Sequence, residues 1–269
     1  MGNCLIREEK TSCLPFIPSK ENMSFIFQTI DSLTLENYSQ MQFFFEVNKN
    51  FDIFLNFFFF DPQTPEETQK YLNLLFPNHS YKKIGYEFGP WINEETFMEF
   101  IRNLEGYRVL NRLKIVFIEK NQNFCDGNVP SCICYYLRSS HSYGLKEINF
   151  FFKRLDIKNI EELFRSLKER KSLEIIDIDL SFNIIEDLNI NEFLNFLEVI
   201  DEQTKIKRFK INLSNNLISE NGLKKMGKAI KGKKVAEKGE ILMKGYKFEG
   251  KVIEEIDRKL DQNIKIIYK

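Results

Sequence analysis

An α/β fold built from stacked strand–helix units is predicted for this chain by three observations. The stretch LEIIDIDLSFNII, Leu173 to Ile185, is apolar at Leu173, Ile176, Ile178 and Leu180, then sets Asn183 and Ile185 at fixed distances. The stretch IKRFKINLSNNLI, Ile206 to Ile218, repeats that template 33 residues later through Ile206, Phe209, Ile211, Leu213, Asn216 and Ile218. Between such stretches the apolar spacing turns helical. Apolar residues at every second position mark a strand with one buried face. Recurrence at a period of roughly 20–50 residues marks units that bury their apolar side only against their neighbours.

Extending the template along the chain places unit starts at residues 23, 52, 81, 110, 145, 173, 206, 236 and 261. At offsets +3, +5 and +7 only Gln28 and Gly239 break a run of 25 apolar residues in 27 positions, far above what a 43% apolar composition supplies. Residues 1–22 precede the first unit as an N-terminal extension, and residues 23–269 form one repeat domain. The unit at 52 continues into PEETQKYLNLLF, where Thr64 caps, Pro65 opens the helix and acids follow. After 81 comes NEETFMEFIRNL, which puts Phe97, Phe100, Ile101 and Leu104 on one helix face. The unit at 110 carries a longer loop, QNFCDGNVPSC, and a helix beginning near Pro130. The segments IEELFRSL, NEFLNFLEVI, NGLKKMGKAI and VIEEIDRKL supply the later helices.

The residues LEIIDIDLSFNII and FKINLSNNLISENGLKKMGKAI resemble the leucine-rich repeat, in its ribonuclease-inhibitor-like subtype. The resemblance covers about residues 23–269 and is most specific in the units at 173 and 206. It implies a solenoid, a horseshoe arc of about 8–9 repeats, with parallel strands on the concave face and helices on the convex face. Strands about 4.8 Å apart would make nine of them span roughly 40 Å. In the family the strand-leaving Asn bonds backbone in the turn. Here Leu33, Pro62, Trp91, Lys120, Leu155 and Tyr246 occupy that slot in other units, which implies irregular turns and an uneven curve.

If +3, +5 and +7 point to the core, the intervening positions face outward. They include Phe25, Phe27, Phe54, Phe58, Phe60, Val116, Ile118 and Phe151, then Asp177, Asp179, Lys210 and Asn212. Aromatics gathered on one sheet face suit a partner-binding groove. The plainer alternative is that residues 1–22, with LPFIP at Leu14–Pro18, fold back as a cap, since solenoid ends need covering. Asp177 and Asp179 share a face and suit a partner's Arg or Lys better than a reaction. The partner-binding candidates are therefore Phe25, Phe27, Phe54, Phe58, Val116, Phe151, Asp177 and Asp179.

The remaining signals point away from chemistry. Lys+Arg and Asp+Glu are both 39, so the basic balance of a nucleic-acid binder is missing. Five cysteines are too few and too uneven for a disulfide scaffold, which favours a reducing, intracellular compartment. Cys125, Cys132, Cys134 and His141 are poorly spaced for a zinc knuckle, and Cys132 and Cys134 read better as buried helix residues. His79 and His141 lie in expected turns with no nucleophile motif beside them. The basic segment GKAIKGKKVAEKG reads as a solvated loop rather than a phosphate cradle. No apolar run is long enough to span a membrane, and MGNCLIREEK lacks a signal-peptide core. That N-terminus does suggest acylation, with myristate on Gly2 and a second chain on Cys4, although Ile6 stands where Ser or Thr is usual. An ordinary unstructured start is the alternative.

These readings converge on a non-enzymatic protein-binding scaffold without cofactor, catalytic residue or metal, cytoplasmic or held within a larger cytoskeletal or organellar assembly. The alternatives are a GTPase-activating or inhibitory repeat protein, for which no Arg here matches a catalytic position, and a lipid-anchored adaptor.

Overall fold

The computed structural model describes residues 26–29, 53–57, 82–88, 94–117, 129–152, 157–200, 205–233 and 237–268. The chain divides into two compact units, Met1–Asn121 and Gln122–Lys269. The domain boundary expected after residue 22 lies outside the described residues.

In the first unit, β1 (Ile26–Thr29), β2 (Ile53–Phe57), β3 (Lys83–Phe88) and β4 (Arg112–Phe117) pair in parallel and in chain order. Helix α1 (Glu94–Glu105) runs between β3 and β4. Its Phe97, Phe100, Ile101 and Leu104 are all buried, as their helical spacing predicts. Tyr86 of β3 meets Phe100 edge to face, with centroids 5.3 Å apart. Register corrects one expectation. Ile26 pairs with Ile53 and Ile53 with Ile84, so the second unit begins two residues earlier than an even spacing of 29 places it. The shift is even, so the inward parity survives.

In the second unit, β5 (Glu147–Phe151), β6 (Ile175–Asp179), β7 (Arg208–Asn212), β8 (Lys238–Leu242) and β9 (Ile264–Ile267) pair in parallel, again in chain order. The helices are α2 (Val129–Arg138), α3 (Ile157–Lys168), α4 (Asn191–Val199), α5 (Glu220–Ala229) and α6 (Gly250–Asp257), each packed on the next. Parallel strands joined through helices must have one face covered by those helices. Ile148, Phe150, Phe152, Ile176, Ile178, Leu180, Phe209, Ile211 and Leu213 form that covered row, none more than 1% exposed. The helix residues Leu163, Phe164, Phe193, Phe196, Leu223 and Met226 are equally buried.

The exception at Gly239 has a steric cause. A Cβ there would lie 2.6 Å from the Phe209 ring, so that ring fills the space a side chain on β8 would occupy. The segment expected as a basic loop is divided instead. Gly227–Ala229 completes α5, and Lys238 and Gly239 open β8.

The turns leaving β6, β7 and β8 share one backbone form. Phe182, Asn215 and Gly245 have φ of 60°, 56° and 85°. Gly and Asn suit that region, while a bulky aromatic is strained there. Asn183 Nδ2 donates to Leu180 O at 2.7 Å and to Phe152 O of the preceding turn at 3.3 Å. Asn216 Nδ2 donates to Leu213 O at 2.8 Å and to Leu180 O of the preceding turn at 2.9 Å, while its Oδ1 accepts from Ile185 N at 3.2 Å. At the next turn the slot holds Tyr246, whose hydroxyl donates to Leu213 O at 2.9 Å and accepts from Asn216 N at 3.1 Å. The irregularity expected at Tyr246 is therefore absent, because a phenol reaches the carbonyl that an amide would. Leu33, Pro62, Trp91, Lys120 and Leu155 lie outside the described residues.

Candidate functional site

Alternation leaves every second residue of β5–β9 on the sheet face away from the helices. Parallel register lines these residues up in rows across the strands. One row is Glu147, Ile175, Arg208, Lys238; the next is Asn149, Asp177, Lys210, Glu240, Lys265; the third is Phe151, Asp179, Asn212, Leu242, Ile267. From Asp177 onward the middle row alternates in sign, which places opposite charges on neighbouring strands and favours this pairing over a slipped one.

Side-chain length sorts the charges by height. Asp177, Asp179 and Glu240 are half-buried, while Arg208, Lys210, Lys238 and Lys265 are exposed. Burial pushes the Asp177 carboxyl above its usual range; Lys210 opposes that and Asp179 adds to it. Asp179 is committed to its own turn: Oδ1 accepts from Ser181 N at 2.8 Å and Oδ2 from Asn212 Nδ2 at 3.0 Å. Asn212 repeats the arrangement one strand on, accepting from Ser214 N at 3.1 Å. Lys238 Nζ lies 2.7 Å from Glu240. Arg208, Lys210 and Lys265 make no hydrogen bond or ion pair among the described residues. Together Asn149, Asp177, Arg208, Lys210, Lys238 and Glu240 line a depression of about 250 Å³.

At the strand entrances a second ladder of charge runs along the same unit. Glu174 accepts from Lys207 at 2.7 Å and pairs with Lys146 at 3.3 Å, and hydrogen bonds to Lys207 and then Lys146 hold its carboxyl below the usual range.

The predicted site residues fall into three groups. Asp177 and Asp179 come together with Lys210 and Asn212 on the open face, where Phe151 is also half-buried. In the first unit Val116 is half-buried on β4, and Phe27 and Phe54 occupy paired register positions on β1 and β2. Phe25, Phe58, Phe60, Ile118, Gly2 and Cys4 lie outside the described residues, as do Cys125 and His79. Cys132 and Cys134 are buried on α2, and burial pushes the Cys134 thiol up to about 12. His141 sits exposed on a short 3-10 helix, Ser140–Gly144.

Sequence reasoning missed two features. The cations were hidden because Arg208, Lys238 and Lys265 look like ordinary surface charges until register sets them on one face. The second is an exposed apolar edge, with Phe182, Ile184 and Leu188 after β6 and Leu217 after β7. Its signal was present in the pair Ile184–Ile185, since only one of two adjacent apolar residues can face the core.

Among the described residues no helix is long and apolar enough to cross a membrane. No protein-family model matches the chain, and no curated protein matches it.

Proposed function

We propose that this protein is a non-enzymatic interaction scaffold, a leucine-rich-repeat solenoid of the ribonuclease-inhibitor-like kind. Its open sheet face and adjoining turns hold another protein, as one subunit of a larger assembly. The observation that carries this reading is the asymmetry of the β5–β9 sheet. One face is sealed by helices, and the other holds a row of exposed charged side chains above a shallow depression. Two further features support it. The asparagine and tyrosine ladder at Asn183, Asn216 and Tyr246 ties successive turns through backbone carbonyls, which makes a rigid platform. The Asp179 and Glu240 carboxylates on the open face are engaged in cross-strand, turn and same-strand contacts, and the Cys134 thiol is held protonated.

The test is site-specific photo-crosslinking in the native source. A photo-reactive residue replacing Lys210 on the open face is compared with one replacing Lys251 on α6, both exposed positions. A discrete protein adduct from position 210 and none from 251 is expected. Equal labelling from both positions, or none from either, refutes the reading.

A further inference from the structure

We propose that the open face of β6–β9 docks an acidic peptide segment of its partner, whose carboxylates meet Arg208, Lys210, Lys238 and Lys265. The proposal rests on the protein-binding reading and names its chemistry. The formal charge of this face is nearly balanced, so composition alone predicts no sign. Height decides it. The acids Asp177, Asp179 and Glu240 are half-buried on short stems, and all four cations of β7–β9 stand exposed above them. A chain approaching from solvent meets guanidinium and ammonium groups first.

Of those cations Arg208 is the least satisfied by its neighbours in register. Arg208 is opposed in register by Ile175 on one side and by Lys238 on the other, an apolar residue and a like charge. Like charges directly opposite on adjacent strands are unfavourable, and an intervening carboxylate relieves that cost. Lys238 turns to Glu240 on its own strand. Arg208 makes no such ion pair among the described residues, although its charge partly offsets the rise of the Asp177 carboxyl, and it lines the depression beside Asp177, where a guanidinium can take a carboxylate in bidentate fashion.

A peptide fits these observations better than a nucleic acid. Among the described residues no exposed aromatic stands among the cations to stack a base, the contact on which single-stranded nucleic acid relies.

The experiment measures fluorescence anisotropy of fluorescein-labelled octaglutamate with the full-length chain at low salt. Octalysine and an oligothymidylate of matched charge are the comparison probes. Octaglutamate binding that weakens with added salt is expected. Arg208→Glu, which can pair with Lys238 and so spares the fold, should weaken it at least fivefold. The milder double substitution R208Q/K210Q should weaken it about as much, with the melting curve unchanged. Lys251→Glu, on α6, makes the same charge change and should leave affinity within twofold. The proposal is overturned if Lys251→Glu weakens binding as much as Arg208→Glu, if octalysine binds more tightly, or if octaglutamate fails to bind. Oligothymidylate binding as tightly, with the same loss in R208E, also overturns it and transfers the face to nucleic acid. Crosslinking from position 210 without octaglutamate binding sinks this chemistry alone; loss of both sinks the protein-binding reading with it.

Discussion

Replacing Asn216 by Ala should be among the most damaging single changes in the second unit. The residue is 8% exposed, and its side chain serves three backbone groups at 3.2 Å or less in two successive turns. The consequences for the three are unequal. Leu180 O keeps the amide of Asn183 at 2.7 Å, and Leu213 O keeps the hydroxyl of Tyr246 at 2.9 Å. Ile185 N loses its Asn216 acceptor and lies too deep for easy hydration. One orphaned buried N–H costs about 1–3 kcal/mol, and two lost bonds whose acceptors stay partnered cost about 0.5–1.5 kcal/mol each. The expected loss is therefore about 2–6 kcal/mol, a large share of a typical domain stability of roughly 5–15 kcal/mol. Urea unfolding measures the total, and amide hydrogen exchange at Ile185 measures the local share. A loss below about 0.5 kcal/mol with Ile185 still protected would mean that the backbone holds this turn without the side chain.

Three further outcomes follow from the same geometry. Burial pushes the Tyr246 hydroxyl from 10.0 up to about 12, so folding favours its protonated form. Its contribution is complete below pH 10 and declines as pH rises toward 12, and Tyr246→Phe should make the alkaline fall in melting temperature shallower. The fall should persist in part, because burial also raises Tyr268. Gly239→Ala should destabilise by about 1–3 kcal/mol through overpacking against Phe209, and Phe209→Leu in the same chain should recover part of that loss in urea titrations. Phe182→Asn should raise stability by about 1 kcal/mol by calorimetry, since Asn tolerates the left-handed backbone that strains Phe; an unchanged or lower value would mean the aromatic ring earns its place.

Much of the architecture was legible because its governing signal is local. Strand side chains alternate by chain geometry, so the parity of Ile148, Ile176 and Phe209 could be read without knowing any neighbour. Helix positions such as Phe97 and Leu104 followed from the 3.6-residue period in the same way. Asn183 and Asn216 were legible as a recurring polar position after the apolar row, and their bonds to turn backbone were what the resemblance to the leucine-rich repeat implied.

What the chain alone determined is the direction each side chain takes from the backbone, since that depends on covalent geometry and the local apolar pattern. Only tertiary structure decided which residues stand side by side: the two-residue offset of β2, the Phe209 ring over Gly239, Tyr246 reaching Leu213 O, and the cations raised above acids on one face. Those outcomes depend on connection length and on the reach of individual side chains. Both are set by contacts between residues roughly 30 positions apart, which no local period encodes.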